Sequence, residues 1–350
     1  RTVTIGHAAT MVEVQSDSFT GTDYSGSPTA TGEPITLAAI LDKWDNSAGA
    51  DDWKVAVNGV ATNISSAFSA LAGIFFNVKD QTYGAVGDGN TDDTTAITLA
   101  ITAAAAAGGG IVYFPPTTTF YKFTTLTISS ADITLMGAGP NASILKSAST
   151  SGVLLTISGA ASGDWCRVIG LSIEATGANA NAIVQFGSGI NTLVENCTFT
   201  GTPVTGPLLR RTSGSIKTFI NIKDCKMFAG ILCTNVFVNA ATESKTFFSL
   251  SNNVVVIDAG FTGDILVGPD FKMTGCTFDA SSVTSGVYRH INAVSNAVAG
   301  KYSGSFTGNT FLDGGSTGFV FQLLLIAAGS DFEESGNKFI GFTDPTAITE

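Results

Sequence analysis

Phe76-Asn77-Val78-Lys79-Asp80-Gln81-Thr82-Tyr83-Gly84-Ala85-Val86-Gly87-Asp88-Gly89-Asn90-Thr91-Asp92-Asp93-Thr94-Thr95-Ala96-Ile97 is the stretch on which the fold turns. Gly84, Gly87 and Gly89 permit sharp chain reversals. Asn90 is placed to cap a following helix, with Asp93 at the third position reaching back as in a capping box. Two carboxylates in the first turn also suit the helix dipole. The helix is expected over 91–107, with Ile97, Leu99, Ala100, Ile101 and Ala104 apolar, and Gly108-Gly109-Gly110 ends it. Ile111-Val112-Tyr113-Phe114 then reads as a buried strand closed by Pro115-Pro116. The run from Asp88 to Asp93 looks superficially like the start of a calcium loop. It fails twice, because Asp93 stands where such a loop needs Gly and Leu99 where it needs a bidentate Glu. Helix capping is the better reading, and no metal or cofactor site is expected.

Downstream, one pattern recurs: a small or polar pair, then Asn or Cys, one residue, then an apolar residue. It appears as Glu195-Asn196-Cys197-Thr198-Phe199, Lys223-Asp224-Cys225-Lys226-Met227, Asn252-Asn253-Val254-Val255 and Thr274-Gly275-Cys276-Thr277-Phe278. Thr307-Gly308-Asn309-Thr310-Phe311 and Ser335-Gly336-Asn337-Lys338-Phe339 follow. The anchors at 197, 225, 253, 276, 309 and 337 are spaced by 28, 28, 23, 33 and 28 residues. Ile169-Gly170-Leu171-Ser172-Ile173 stands 26 residues before Cys197 and reads as one coil earlier. A period near 28 with one strand-turn-strand signature per period means a solenoid, in which stacking supplies the core that no single coil can bury. The anchors should form a ladder in one turn, Asn bonding along the stack. The 33-residue coil is expected to carry an insertion around Ser281–Asn292, and Thr200–Ser215 a long turn holding Arg210-Arg211.

The opening stretch resembles the capping segment of the pectate-lyase-like superfamily of right-handed parallel β-helices. The matching features are Val78-Lys79-Asp80, Tyr83-Gly84-Ala85, Gly87-Asp88-Gly89, Thr91-Asp92-Asp93-Thr94 with Ala96-Ile97, and Gly109-Gly110-Ile111-Val112-Tyr113-Phe114-Pro115. The resemblance covers about 40 residues closely, and the repeats extend it. It is specific for fold and not for activity, because in that superfamily the segment forms an N-terminal cap and carries no catalytic group. In that superfamily the segment is common in bacteriophage tailspikes and in polysaccharide lyases and hydrolases. The fold class expected is therefore all-β: a right-handed parallel β-helix of seven or eight coils over roughly 110–345. A capping α-helix and a small mixed N-terminal subdomain precede it. The domains expected are 1–76 for attachment or docking and 77–350 for the helix, with 77–116 its capping segment and 117–345 its coils.

Composition agrees. The 350 residues include 17 Lys+Arg against 28 Asp+Glu, a formal charge of -11, and charged residues are 13% of the chain. That is about half the usual share. No basic stripe exists to displace counterions from nucleic acid. The 44% hydrophobic content argues against disorder, and the scarcity of Glu, Lys and Arg against a coiled coil. Cys166, Cys197, Cys225, Cys233 and Cys276 are odd in number and lack any CxxC, so buried free thiols are expected rather than disulfides or zinc. The most apolar run, Ala96–Phe114, is broken by Gly108-Gly109-Gly110, and no membrane span is expected. The first residues show no basic segment followed by an apolar run. Because residue 1 is Arg, trimming upstream is expected.

In residues 1–76, Leu37, Ile40, Leu41 and Trp44 follow helical spacing within Ala30–Ala50. Trp53, Val55 and Val57 alternate into Asn58-Gly59, a hairpin dipeptide. Ile64, Phe68 and Leu71 make a second stripe, and Tyr24–Gly32 reads as a linker.

Glycoside cleavage needs two carboxylates about 5–5.5 Å apart for retention or 6.5–9.5 Å for inversion. Neighbouring coils, about 4.8 Å apart, could supply such spacings. Asp258, Asp279 and Asp313 lie 5, 3 and 4 residues after their anchors and are the catalytic candidates, an acidic row. Glu195 with Asp224, the cluster Asp331, Glu333 and Glu334, and Tyr288-Arg289-His290 are weaker candidates. Of Trp44, Trp53 and Trp165, none lies after residue 166, so the repeats are expected to lack a Trp platform for sugar. The function expected is that of a phage virion protein, a tailspike or tail fibre. It would be a homotrimer, docked to other tail proteins through residues 1–76 and binding host surface polysaccharide. The alternative is a polysaccharide hydrolase or lyase.

Overall fold

A computed structural model describes residues 2–7, 10–15, 54–57, 60–63, 74–130, 132–147, 149, 151–158, 164–176, 181–187, 189–201, 205–212, 218–230, 235–239, 246–259, 261, 264–267, 271–283, 289–292, 303–314 and 331–341. The chain divides into two compact units, Arg1–Ala70 and Leu71–Glu350. In the first, β1 (Thr2–His7) pairs antiparallel with β2 (Thr10–Gln15), a hairpin the sequence reading missed. β3 (Lys54–Val57) pairs antiparallel with β4 (Val60–Asn63), so Asn58 and Gly59 connect the expected hairpin. The helical stripes at 30–50 and 64–71 and the linker at 24–32 lie outside the described residues.

In the second unit the described strands form three parallel sheets of ten, nine and seven strands, and the chain visits each sheet once per coil. This is the right-handed parallel β-helix, the hand that parallel crossovers take. The first coil is Gly110–Phe114, Tyr121–Phe123 and Leu126–Ile128. Nine coils are visible, rather than seven or eight, with the ninth contributing Asp331–Ser335 and Lys338–Ile340. Phe75–Asn77 already belongs to the ten-stranded sheet, pairing with Gly110–Phe114. Strands bury alternate residues, as in Tyr121/Phe123, Phe199 and Phe278/Ala280, and these form one continuous core. The inner rings of Phe278, Phe311 and Phe339 stack at 5.1 Å and 5.1 Å, close to the inter-strand step.

The turn from the ten- to the nine-stranded sheet is built identically in coils three to nine. A residue at positive φ precedes each anchor: Gly170, Asn196, Asp224, Asn252, Gly275, Gly308 and Gly336, all between 49° and 65°. Only Gly, Asn and Asp adopt that conformation at little cost, which explains the small or polar residue before every anchor. The turn points the anchor's N–H along the stack, away from any strand partner. The next anchor's side chain accepts it: Cys197 N–H donates to Cys225 Sγ at 3.4 Å and Cys225 N–H to Asn253 Oδ1 at 3.0 Å. Cys276 N–H donates to Asn309 Oδ1 at 2.9 Å and Asn309 N–H to Asn337 Oδ1 at 2.9 Å. The expected ladder is present, and the four described cysteines are buried free thiols. Cys233 lies outside the described residues.

The helix α1 (Thr94–Ala106) closes the N-terminal end, burying Ala96, Ile97, Ala100, Ile101 and Ala104. Its start differs from the sequence reading. Asp93, not Asn90, is the N-cap residue, it makes no side-chain cap bond, and no acid stands in the first turn. The Asp93 carboxylate turns away to accept Val86 N–H at 2.7 Å and Gly87 N–H at 3.1 Å. Asp92 takes over the capping, accepting Thr94 N–H at 2.9 Å. Asp88 accepts Asn90 N–H at 2.8 Å and Thr91 N–H at 2.7 Å, holding the preceding loop. Burial raises the Asp93 pKa above its ordinary 3.8, opposed by its two backbone donors. Hydrogen bonds from Thr94 lower that of Asp92, and those from Thr91 and Asn90 lower that of Asp88.

Candidate glycan-binding faces

The three candidate carboxylates do not form a row. Asp279 pairs in register with Val256 and Leu312, whereas Asp313 pairs with Ala280, one position further along the strand. Asp258 lies beyond the end of its strand, Val254–Ile257. Offsets of 5, 3 and 4 from the anchors are thus three different columns, and the pleat sends adjacent columns to opposite sides. Asp279 faces outward and accepts Ser281 N–H at 3.0 Å and Ser281 Oγ–H at 2.5 Å. Asp313 is buried with the inward column. Asp258 is partly exposed.

The weaker candidates separate as well. Glu195 is bound to Lys223 at 2.8 Å, directly across the sheet, so it does not face Asp224. Asp224 instead accepts Asn252 Nδ2–H at 3.3 Å. Glu333 and Glu334 are exposed on the ninth coil. Tyr288 lies outside the described residues, and Arg289 and His290 are known only as part of the strand Arg289–Asn292. Among the described residues no three His, Cys, Asp or Glu side chains gather as metal ligands, and no helix is long and apolar enough to cross a membrane.

Arg210 and Arg211 are in a strand, Leu209–Arg211, not in a long turn. Alternation splits them. Arg210 faces out and donates from Nε (2.9 Å) and Nη2 (2.5 Å) to Gln185 Oε1 on the previous coil. Arg211 points into the core, where Nη1 donates to Thr212 O and Nη2 to Thr218 Oγ1 at 3.4 Å. Burial lowers its pKa.

On the ten-stranded sheet the pleat brings outward what the linear reading did not place. Trp165 sits on the strand Asp164–Ile169, inside the coils, and is partly exposed. It pairs in register with Asn191, and the next strand places Phe219 beside Asn191, 50% exposed. The column beside them holds Arg167, Leu193, Asn221, Ser249 and Lys272. A usable signal did exist, since Trp165, Asn191 and Phe219 each stand six residues before their anchors Leu171, Cys197 and Cys225.

The β-helix, its helical cap and its two-residue anchor turns agree with a sequence profile. Residues 75–205 match the family described as rhamnogalacturonase A/epimerase, pectate lyase-like. These residues form a pectate lyase-like β-helix. Three solved structures are similar to this chain. One is ORF18 of Geobacillus virus E2, at 17% identity and TM-score 0.38, over 82% of this chain and 66% of that one, just under two thirds of its length. Another is the A-module of mannuronan C-5 epimerase AlgE4 from Azotobacter vinelandii, at 18% identity and TM-score 0.38, over 76% of this chain and 96% of that one. The third is the Dettilon tailspike protein (gp208), at 13% identity and TM-score 0.38, over 86% and 73% of the two chains. No curated protein sequence matches the chain. At such identities and TM-scores the likeness carries no functional information.

Proposed function

We propose that this pectate lyase-like chain is a phage virion attachment protein, a tailspike or tail fibre that binds polysaccharide on the host surface. Residues 1–76 would dock it to other tail proteins, and three copies would assemble side by side. The observation that carries this reading is how the coils use their acids. Glu174 is held by Lys146 at 2.8 Å, Glu195 by Lys223, and Asp279 by Ser281. These three outward carboxylates are each engaged singly, and none of Asp258, Asp279 and Asp313 faces another across a coil. Long outer faces built this way can hold a chain-like ligand without cutting it. The deciding test incubates purified protein with host cells and counts phage adsorption. Competing protein is expected to lower adsorption, and stripped polysaccharide to abolish the competition. Unchanged adsorption, or a monomer by mass photometry at micromolar concentration, counts against the reading.

The family match favours a second reading, a hydrolase or lyase acting on polysaccharide. Asp258, Asp279 and Asp313 remain the carboxylates to test there, and Asp279 is the one that faces outward. Release of reducing or unsaturated ends by the parent protein, lost in Asp279→Asn, would replace attachment by cleavage.

A further inference from the structure

The outer face of the ten-stranded sheet changes character along its length. Around the first three coils it is mixed, with Phe75, Ile111, Tyr113, Met136 and Ile169 turned outward in the same columns as Asn77, Thr134 and Arg167. Beyond them it carries polar residues, Ser249, Ser251, Thr274, Ser305 and Thr307. At the boundary stand Trp165 and Phe219. One lies two residues before Arg167 and the other two before Asn221, on the same face of their strands. Trp165 and Phe219, each beside a hydrogen-bonding side chain, stand two coils apart in one column, and Phe247 continues that column in register with Phe219. Two inter-strand steps are roughly 9.6 Å. That is close to the length of two pyranose rings in an extended chain, so one disaccharide would span the interval from Trp165 to Phe219. Asn191, between the two rings, is pinned because its Oδ1 accepts Phe219 N–H at 2.9 Å.

Charge narrows the ligand further. Among the described residues the ion pairs are Lys146–Glu174 and Lys223–Glu195. Arg167 and Lys272 are exposed and belong to neither, four register steps apart in one column. In a chain of net charge -11, two unpaired cations on one face flanking the rings are a local reversal of sign. Asp132, exposed one step before Trp165, closes the N-terminal end to a negative ligand.

We infer that this face, from Trp165 to Lys272, is the seat of an acidic polysaccharide, with sugar rings on Trp165 and Phe219 and carboxylate groups toward Arg167 and Lys272. The inference rests on the glycan-binding reading above and names its site and ligand class. The test uses the full chain with Trp44→Phe and Trp53→Phe, which leaves Trp165 as the sole tryptophan reporter. The probes are hexagalacturonate, a maltohexaose control and a panel of acidic and neutral bacterial capsule polysaccharides. An acidic probe is expected to change Trp165 emission, while the neutral ones do not. Phe219→Ala is expected to weaken binding about tenfold, as a central aromatic contact does. Arg167→Gln is expected to weaken it about tenfold in low salt and less in high salt. Acidic glycan bound equally by parent, Phe219→Ala and Arg167→Gln places the seat elsewhere and overturns this inference alone. Binding of neutral glycans only overturns the acidic class. No binding of any glycan overturns both this inference and the reading it rests on. A fall in oligomer mass in Phe219→Ala with glycan binding intact assigns the face to contact between copies, and also overturns it.

Discussion

The coil has two kinds of corner, and they obey different rules. From the third coil onward, two residues connect the ten-stranded to the nine-stranded sheet every time. The corner from the nine- to the seven-stranded sheet takes two to eight residues, and the return to the next coil takes three to ten. The first corner is fixed because it buries an anchor whose N–H must meet an acceptor on the next coil. The described residues of the other two repeat no such anchor, and these corners vary in length. The irregularity in anchor spacing arises in these two corners and in the lengths of the strands they join. The 23-residue interval has a three-residue return, 268–270, and a four-residue strand, Phe271–Thr274. The 33-residue interval has an eight-residue connector at 281–288, within the expected Ser281–Asn292, and a ten-residue one at 293–302.

The strongest way to break this contrast is one alanine inserted between Asp224 and Cys225. It throws the strand Lys226–Ala229 out of register, turning its inward residues outward. Loss of soluble, cooperatively folding protein is expected by circular dichroism and thermal melting. Next comes Asn309→Ala, which strips an acceptor from Cys276 N–H and the 3.2 Å bond to Met273 O, both buried. A loss of about 2–4 kcal/mol is expected in urea unfolding. Asn309→Cys should cost about 1 kcal/mol, because sulfur already serves that position at 197 and 225. At Gly308, φ is 64° and a Cβ would meet nothing within 4 Å, so only backbone strain matters. Gly308→Val is expected to cost about 1–2 kcal/mol, and Gly308→Asn to stay within about 0.5 kcal/mol. Three residues added to the connector 293–302 should cost no more than about 0.6 kcal/mol.

A finer prediction concerns Asp93 against its neighbours. Its pKa is raised in the folded state, so the folded state holds the proton more tightly, and the stability it contributes falls as pH rises above 3.8. Asp92 is lowered and works the other way, its contribution vanishing as pH falls below 3.8. Melting temperatures from pH 3 to 7 are therefore expected to favour Asp93→Asn over the parent progressively as pH rises. Asp92→Asn should lose ground to the parent over the same range. A difference independent of pH at Asp93 would show that its burial does not act on its ionisation.

The legible parts of this molecule are the ones with a fixed corner. Gly, Asn or Asp followed by Asn or Cys marks a two-residue turn with a positive φ, and that pair is visible in the sequence at 196–197, 224–225, 252–253 and 275–276. Register, buried cysteines and the stacked core follow from it. The acidic row failed because offsets were compared without the pleat, in which one residue exchanges inside for outside. Arg210-Arg211 was placed in a turn because the seven-stranded sheet has short strands between corners of variable length, with no anchor to set their phase. Trp165 falls outside the repeats as read from the sequence because it stands one residue before 166, whereas its strand, Asp164–Ile169, already belongs to the coil anchored at Leu171. The helix start was misread because Asp93 answers to Val86 and Gly87, donors earlier in the loop, rather than to the helix it precedes.

The direction of the anchor bonds has a consequence for synthesis. Cys197 N–H waits for Cys225, Cys225 for Asn253 and Cys276 for Asn309, so each corner is completed by residues made later. At ribosomal speed the delay per coil of 28 residues is roughly 1–6 s. During that interval the newest corner holds an unmet polar group beside open sheet edges, while the helical cap, made first, already protects the other end. Nascent chains halted with Cys197 emerged and Cys225 still inside the ribosome are expected to be cut by protease at that corner. Chains halted beyond Asn253 should resist, and equal resistance would show that a corner closes without its successor. The growing tip is thus a moving front, always one coil behind the peptide that seals it.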